Sequence, residues 1–264
     1  MSSPRDVPAH VGPARTAGPF TLRQIDYPAG QRQPPHSHHQ TGLTILLSGT
    51  IREMTSRGEE FAQPLSVVVK AAGVRHADEV GPRGARTLQV SIDPEAAQRV
   101  GRGSLDGWRW FHDAGAAAPL VSLARRLAHG EARDPEVEES VLEAVAALDR
   151  RPGRRSSPPG WLARVREELD DRLEDGITIQ ALAGEVGVHP VSVSRAFREH
   201  YGWTVTEYRR RERVRRAAAR IADARSDSLS RIAFATGHAD HPHLCREFRR
   251  VAGVTPSEFR RLLR

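Results

Sequence analysis

Short apolar runs separated by glycine and proline occupy the first third of the chain. The runs lie at 20–27, 43–47, 65–69 and 86–92, and no helical periodicity of apolar residues separates one from the next. Several short strands at this spacing are typical of a β-sandwich or barrel. We therefore predict an all-β barrel over residues 19–105.

After Asp93 and Pro94 the apolar period changes to that of a helix. Two sets of apolar residues recur three or four positions apart: Leu120, Leu123 and Leu127, then Val137, Val141, Val145 and Leu148. These stripes could cover the barrel or pair with a second subunit, and the two roles are compatible. We predict a helical dimerisation segment over 106–149, flanking the barrel, and a homodimer.

Two stretches without apolar periodicity delimit these parts. Residues 1–18 are rich in Pro, Gly and Ala and lack the apolar core of a signal peptide, so we predict a disordered leader. Residues 150–160 combine four arginines with Ser, Pro and Gly, a composition typical of a linker. From 161 to 264 the pattern is helical. We predict a multidomain protein with an all-β N-terminal part and an all-α C-terminal part.

The C-terminal part contains an internal repeat. Three pairs of segments match in register, the first pair at an offset of 50 residues and the others at 51: 182–187 with 232–237, 193–198 with 244–249, and 202–209 with 253–260. One residue is therefore inserted in the second copy. Three matched blocks in register indicate two copies of one structural unit.

Each copy has the features of a helix-turn-helix. Gly187 and Gly237 can adopt the left-handed conformation that ends a helix. Pro190 and Pro242 suit the first turn of the helix that follows. In a helix-turn-helix this second helix enters the major groove, and its N-terminal part meets the base edges. We predict two such units, held apart by an Ala/Arg-rich helix over 207–222.

Outward-facing residues on and near these helices are the candidates for DNA contact. The base-contact candidates are Val191, Ser194 and Arg195 in the first copy and His241, His243, Cys245 and Arg246 in the second. An arginine at such a position can pair with guanine O6 and N7, contact phosphate only, or form a salt bridge to a neighbouring helix. The phosphate-contact candidates, which would add affinity without specificity, are Arg198, Arg209, Arg215 and Arg249.

The distribution of charge agrees with a polyanionic partner for the C-terminal part. The formal net charge is +7, and the whole surplus of basic residues lies after residue 149. This favours nucleic acid, although arginine-rich helices can also simply be solvated. Cys245 is the only cysteine, which excludes an intrachain disulfide and fits a reducing compartment. No apolar run approaches the roughly 20 residues of a membrane span. We expect a cytoplasmic protein without membrane contact.

Residues from about 161 to 264 resemble the DNA-binding domain of the AraC/XylS family of bacterial regulators. The residues that carry the resemblance are Leu182, Ala183, Gly187, Arg195, Phe197, Gly202, Tyr208, Arg209, Ala217, Ile232, Ala233, Gly237, Arg246, Phe248, Gly253, Thr255, Pro256, Phe259 and Arg260. The resemblance implies seven helices, promoter DNA and RNA polymerase as partners, and activation more than repression. One departure is His238, where the family usually has Phe, and this departure predicts looser packing at the second turn.

Two histidine-containing segments of the predicted barrel, 30–38 and 71–76, resemble the cupin motifs. In cupins such histidines hold a divalent metal, usually with one Glu. The position of that Glu falls near Gly42 or Leu43 here, so we expect this ligand to be absent. The candidate metal ligands are His36, His38 and His76, a set suited to Zn, Fe, Ni or Cu.

Two functions from different classes follow. In the first, the protein is a one-component transcription regulator and not an enzyme: the barrel senses a small molecule or a metal, and the C-terminal part binds promoter DNA. In the second, a cupin metalloenzyme is fused to a DNA-binding domain, and the missing Glu argues against it. The barrel could also hold a metal-free pocket or be purely structural.

Overall fold

The computed structural model describes residues 8–100, 103, 105–149, 158–223 and 227–264. The first half of the chain is dominated by one antiparallel sheet of nine strands. The strands are β1 (His10–Val11), β2 (Arg15–Ala17), β3 (Phe20–Tyr27), β4 (Arg32–His36), β5 (Gly42–Thr55), β6 (Gly58–Ala62), β7 (Val67–Lys70), β8 (His76–Ile92) and β9 (Trp108–Phe111), with helix α1 (Pro94–Val100) between the last two. The all-β N-terminal part that the apolar runs predicted is confirmed.

Two long strands form the centre of this sheet. β5 pairs with β8 along most of its length, and also with β7 in its first half and β6 in its second. The β5–β8 register shifts on both sides of Gly49, which has a φ of 76°. A Cβ added there would lie 1.8 Å from the Gly84 carbonyl oxygen. Only glycine therefore permits the bulge that lets these two strands approach so closely.

The two faces of the sheet differ in polarity, because side chains alternate along each strand. On β5, Leu43 and Ile45 pack into the main core, whereas Leu46 belongs to a smaller cluster on the other face. The polar residues around a cavity of about 10 Å³ on this second face are Tyr27, Gln33, Thr44, Glu53, Lys70, Asp78, Thr87 and Gln89. Polar side chains, buried or half-buried, therefore cover this second face of the sheet.

Two helices, α2 (Ala117–Ala128) and α3 (Asp134–Asp149), cover the apolar face. Of the predicted stripes, six residues are buried in the main core, namely Leu120, Leu123, Val137, Val141, Val145 and Leu148, and Leu127 packs against it half-buried. The exposed residues of α3 are Asp134, Pro135, Glu139, Leu142, Glu143, Ala146 and Asp149. Of the two roles predicted for the stripes, the structure supports covering the sheet, since the remaining surface of α3 is mainly acidic.

Two parts of the predicted domain plan differ from the structure. β1 and β2 lie within 1–18, the predicted disordered leader, of which 1–7 are outside the described residues. β9 lies within 106–149, the predicted helical segment, and pairs with β7. These short strands carry little apolar alternation and form through main-chain pairing, β1 and β2 with the longer β3 and β9 with β7. Most of the 150–160 linker also lies outside the described residues.

The C-terminal part is all-α, as predicted, and its described residues contain the seven helices that the resemblance implies. They are α4 (Gly160–Asp171), α5 (Ile179–Val186), α6 (Pro190–Tyr201), α7 (Val205–Asp223), α8 (Leu229–Phe234), α9 (His241–Ala252) and α10 (Pro256–Leu262). Among the helices that the structure describes, none is long and apolar enough to cross a membrane.

Local capping explains where the helices of each repeat begin and turn. The hydroxyls of Thr178 and Ser228 accept hydrogen bonds from backbone N–H groups in the first turns of α5 and α8. Gly187 and Gly237 have φ values of 67° and 73°. The left-handed residue in each turn is therefore the glycine that the repeat predicted, and each pair, α5–α6 and α8–α9, is a helix-turn-helix.

The two helix-turn-helix units belong to different hydrophobic cores. The first unit has a core of its own with α4, which includes Leu162, Val193 and Phe197. The core of the second unit, around Leu244 and Phe248, is continuous with the core of the sheet. Helix α2 makes this connection, because it packs against both α9 and α10. The sheet and the second unit therefore form one folding body.

This division predicts different outcomes for two equivalent substitutions. Phe197→Ala and Phe248→Ala each remove a side chain with 0% exposure, and each should cost about 3–5 kcal/mol of local stability. In hydrogen exchange followed by mass spectrometry, F248A should speed exchange in β5 and β8 as well as in α9. F197A should leave β5 and β8 unchanged and affect α4 to α6. Equal effects on β5 and β8 would contradict the division.

Candidate nucleic-acid interface and histidine site

The second helix of each unit, α6 or α9, is anchored by the predicted inward residues. Val193 and Phe197 on α6 are fully buried, as are their counterparts on α9. Arg195 and Arg246 lie on the opposite side and are exposed. Among the residues that the structure describes, neither arginine has an ion pair or a protein hydrogen bond. Of the alternatives open for them, a salt bridge to a neighbouring helix therefore finds no support.

The other base-contact candidates are less uniform. Val191 is 60% exposed at the start of α6. Ser194 is half-buried and donates a hydrogen bond to the Pro190 carbonyl at 3.0 Å. On α9, His241 Nε2 lies 3.3 Å from Cys245 Sγ, and burial raises the pKa of that thiol.

The last candidate, His243, is also half-buried, in the first turn of α9. Its Nδ1 accepts a hydrogen bond from the Ala239 amide at 3.2 Å. The structure thus brings all seven base-contact candidates to the two second helices, with Val191, Arg195 and Arg246 the most exposed.

The four phosphate-contact candidates fall into two groups. Arg198 and Arg249 are exposed near the ends of α6 and α9. Arg209 is half-buried and donates to the Ile177 carbonyl at 2.9 Å. Arg215 differs most from its prediction, because only 18% of its side chain is exposed.

Arg215 lies between the two parts of the chain. It forms an ion pair with Glu212 at 2.6 Å and donates to Gln63 Oε1, beyond β6, at 2.7 Å. Its guanidinium is therefore satisfied inside the protein, away from the surface that we expected it to occupy. The helical spacing could not reveal this, since Gln63 is 152 residues away in sequence.

The three candidate metal ligands meet on the polar face of the sheet. His36 and His76 are paired across β4 and β8, with ring centroids 4.1 Å apart. His38 follows β4, and its ring lies 5.0 Å from that of His76. One ring nitrogen of each can be chosen so that all three atoms lie within 4.8 Å of one another. The sequence motif thus identified side chains that converge in space.

Hydrogen bonds and burial leave these histidines with bare nitrogens. Nδ1 of His36 lies 2.9 Å from the Pro34 carbonyl oxygen, which can only accept, so this Nδ1 carries the proton. Burial, followed by the charge of Lys70, lowers the pKa of His38 and of His76 to about 4. Nε2 of each is buried without a hydrogen-bond partner among the described residues. Neutral imidazoles with an unprotonated nitrogen are the form that binds metals.

Two buried carboxylates that sequence reasoning missed stand beside the histidines. Asp78 follows His76 by two residues on β8, and its Oδ2 lies 3.6 Å from His76 Nε2. Glu53 on β5 is paired with Asp78 across the sheet. Glu53, His76 and Asp78 form a second group whose ligand atoms lie within 4.8 Å. The cupin-like motif lacks its usual Glu, as expected, but the folded site contains two carboxylates from other positions.

A signal for Asp78 was present, because residues two apart on a strand share a face. Glu53 could be found only from the pairing of β5 with β8.

Two tryptophans of β9 hold Glu53 in place. The indole N–H groups of Trp108 and Trp110 donate to Glu53 Oε1, the latter at 2.6 Å. Lys70 Nζ lies 3.7 Å from the other carboxylate oxygen. Burial nevertheless raises the pKa of Glu53 to about 7. The Trp108 ring also lies 4.1 Å from the ring of His76, so β9 forms one wall of the histidine site.

The loop after β9 contacts two residues that follow the first helix-turn-helix unit, namely Trp203 between α6 and α7 and Arg211 on α7. Trp203 Nε1 donates to Asp113 Oδ2 at 3.1 Å. The Arg211 guanidinium lies 3.7 Å from the centroid of the Trp203 ring and donates to the Ala114 carbonyl at 3.1 Å. Ala114 has a φ of 55°, a left-handed conformation that non-glycine residues rarely adopt. A continuous set of contacts therefore links the histidine site to the first unit.

Comparison with known proteins supports the assignment of the helical part. The family described as "Helix-turn-helix domain" matches residues 182–262. The HTH-type transcriptional regulator GlxA of Rhizobium meliloti (strain 1021) is 32% identical over 158 residues, which cover 56% of this chain and 48% of that protein. The arabinose operon regulatory protein of Salmonella typhimurium (strain LT2) is 27% identical over 128 residues, 47% of this chain and 43% of that one.

Among solved structures, the AraC-like transcriptional activator CuxR has a TM-score of 0.41 and 16% identity, over 82% of this chain and 84% of that chain. This chain spans slightly less than half of the length of the two curated relatives described above. The family match falls on the two repeated units, where the sequence resemblance was found. Residues 182–262 of this chain are therefore a helix-turn-helix domain.

Proposed function

We propose that the whole protein is a sequence-specific transcription regulator whose N-terminal sheet responds to a ligand bound at the histidine site. The observation that carries the proposal is the pair of anchored helices, α6 and α9, each of which presents an exposed arginine at the same place in the repeat. Base-edge readout in the major groove requires side chains in this position. Promoter DNA is the proposed partner, with RNA polymerase and a second copy of the chain as further partners.

The separation of the two units fits a DNA site of two short blocks. α7 joins them and contains 19 residues, so it is about 28 Å long. Units on one face of DNA read successive major grooves about 34 Å apart. We therefore propose that Arg195 and Arg246 each read one block. Arg198 and Arg249 then contact phosphates, whereas Arg215 stabilises the contact between sheet and helices.

The histidine site fits a divalent metal as the ligand. Its donors are neutral imidazoles, and the buried Oδ1 of Asp78 has no hydrogen-bond partner among the described residues. Three nitrogens with one carboxylate oxygen are a common ligand set for Zn and for Fe, Ni or Cu. A bound ion would add a positive charge to the neighbourhood of Lys70, whose charge already acts on His38 and His76. A polar small molecule at the same donors is the alternative ligand.

The contacts of β9 provide a route by which occupancy could reach the DNA-binding part. Trp108 lies against the histidines, and Asp113 and Ala114 of the following loop hold Trp203 and Arg211. A ligand that moves β9 would therefore shift the first unit relative to the second, which is fixed to the sheet through α2. DNA affinity would change because both units must match their blocks together.

Trp203→Phe tests this route, because it removes the indole N–H and keeps the ring under Arg211. On a DNA site selected from a random library, a metal that binds the site should change the Kd of the wild type by about 5-fold or more relative to chelator. In W203F that ratio should fall towards one. Trp161→Phe on α4 is the matched control and should keep the wild-type ratio. An unchanged ratio in W203F would exclude this contact from the coupling.

The second candidate function is a cupin metalloenzyme fused to the same DNA-binding domain. The observation that favours it is the buried pair of carboxylates, since Glu53 with a pKa near 7 could exchange protons at neutral pH. Its two indole donors and Lys70 already occupy that carboxylate, however. Turnover of a substrate that disappears in His36→Ala and in Glu53→Gln, with DNA binding intact, would favour the enzyme.

A further inference from the structure

A basic cleft lies between α7 and the second helix-turn-helix unit. It has a volume of about 210 Å³ and is lined from α7 by Thr206, Arg209, Arg210 and Arg213, and from the second unit by His238, His243 and Glu247. Thr206 and Arg209 lie in the first two turns of α7, which follows α6 in the chain, and His243 lies in the first turn of α9. The cleft therefore adjoins the start of α9 and the beginning of α7.

The charges in the cleft are not balanced. Three arginines face one glutamate, and that glutamate forms an ion pair with Arg210. Arg213 donates twice to the Leu173 carbonyl, at 3.0 and 2.8 Å, which satisfies hydrogen bonds without neutralising charge. Burial and the neighbouring Arg209 lower the pKa of Arg213. An anion in the cleft would remove this penalty.

His238 supplies an independent sign of a missing ligand. Its side chain lines the cleft, the residue is only 3% exposed, and its buried Nε2 has no hydrogen-bond partner among the described residues. The Thr236 hydroxyl donates its one hydrogen to the Ile232 carbonyl at 2.8 Å, so it must accept from His238 Nδ1 at 2.9 Å. The neutral ring therefore presents a bare Nε2, which can bind an anionic oxygen only after it takes up a proton.

We propose that this cleft binds one phosphate of the DNA backbone between the two reading helices, and that His238 takes up a proton from solvent at Nε2 when the phosphate enters. The inference rests on the proposed function. When a protein reads two successive major grooves, the backbone of the intervening minor groove faces it. The phosphate oxygens would accept from the arginines on α7 and from the protonated ring.

The neighbours of His238 set the sign of the pH dependence. The charged or titratable groups that face it are Arg209, Arg210 and Arg213 on α7, His243 and Glu247 on α9, and Glu174 after α4, which acts on Arg213. Without DNA the pKa of His238 is lowered to about 4 by burial, His243 and Arg213. The negative charge of a bound phosphate stabilises the protonated ring and outweighs these three causes, so proton uptake on binding makes DNA affinity rise as pH falls.

Three variants test the cleft on the selected DNA site at constant ionic strength. Between about pH 8 and about pH 6, wild-type affinity should rise by roughly 3- to 10-fold more than that of His238→Phe, which cannot take up the proton. Glu247→Gln should tighten binding by about threefold, because it removes repulsion of the phosphate and releases Arg210. Arg209→Gln should lower the slope of log Kd against log salt by about one.

Equal pH dependence in the wild type and H238F, together with no gain in E247Q, would overturn the proposal. His238→Gln, which keeps a polar contact to Thr236, replaces H238F if circular dichroism shows that the Phe variant is unfolded. Inorganic phosphate should raise the melting temperature of the wild type and of R209Q by the same amount, because phosphate stabilises folded proteins in general. A phosphate-specific rise that R209Q abolishes would assign the cleft to a free phosphate compound. Failure of the wild type to select any DNA sequence would instead remove the proposed function, and the cleft with it.

Discussion

Arg195→Ala and Arg246→Ala should each weaken binding to the preferred DNA site by about 10- to 100-fold and broaden the sequence preference within one block. The physical reason is that each arginine is exposed on its reading helix without an ion pair among the described residues, so its donors are available to a base. R195A should broaden one block and R246A the other, because the two residues occupy equivalent places in different units.

Fluorescence anisotropy with specific and scrambled DNA measures this effect. The matched control is Arg99→Ala on α1, an exposed arginine of the sheet domain that pairs with Glu95 and should leave both affinities unchanged. Arg249→Ala should weaken specific and scrambled DNA alike, as expected of a phosphate contact. Equal losses on both DNAs for R195A and R246A would show that these arginines bind only the backbone.

Replacing His76 with alanine should abolish metal binding by the N-terminal sheet. This histidine is common to both groups of ligand atoms, and its Nε2, like that of His38, is buried without a hydrogen-bond partner among the described residues. At a metal concentration of about 100 Kd, the wild type should gain about 2.7 kcal/mol of stability. That gain corresponds to a rise in melting temperature of a few degrees in a domain of this size.

Isothermal titration calorimetry and thermal melting of the chelator-treated full chain measure the two effects. His39→Ala is the matched control, because His39 is adjacent to His38 in sequence but exposed. It should keep the stoichiometry and the shift in melting temperature. Asp78→Asn should weaken the metal without abolishing it, since it removes one of four proposed ligands. Unchanged metal binding by H76A would show that the histidine cluster is not the site.

The sequence predicted the C-terminal part well because its signals are local. The repeat, the glycines at 187 and 237 and the anchors such as Phe197 and Phe248 all act within one helix or one turn. Their positions therefore remain valid in the folded chain. The three histidines could be predicted together only through the resemblance to the cupin motifs, because His36 and His76 meet through the pairing of β4 with β8.

Features that depend on pairing between distant segments could not be predicted in this way. Glu53 reaches the histidines only because β5 pairs with β8 in one register. Arg215 was assigned to phosphate because it lies on an arginine-rich helix, yet Gln63 and Glu212 bind it. The contact of Trp203 with Asp113 likewise joins residues 90 apart. In each case a tertiary contact determines the role, and neither composition nor period contains that information.

His238 shows how a departure from a family pattern can be informative. Because His238 replaces the usual Phe, the sequence predicted looser packing at the second turn. The structure instead buries this histidine and ties its Nδ1 to Thr236. Burying a polar ring with one nitrogen unsatisfied costs free energy, and a ligand that satisfies the nitrogen would recover it.

Selection of DNA from a random library by the full-length protein, with metal and with chelator in parallel, tests the central claim most directly. We predict enrichment of a site with two short blocks about one helical turn, roughly 34 Å, apart. We also predict that enrichment differs between the metal and chelator arms. Recovery of no preferred sequence in either arm, by protein whose melting shows it to be folded, would contradict the assignment of this chain as a sequence-specific regulator.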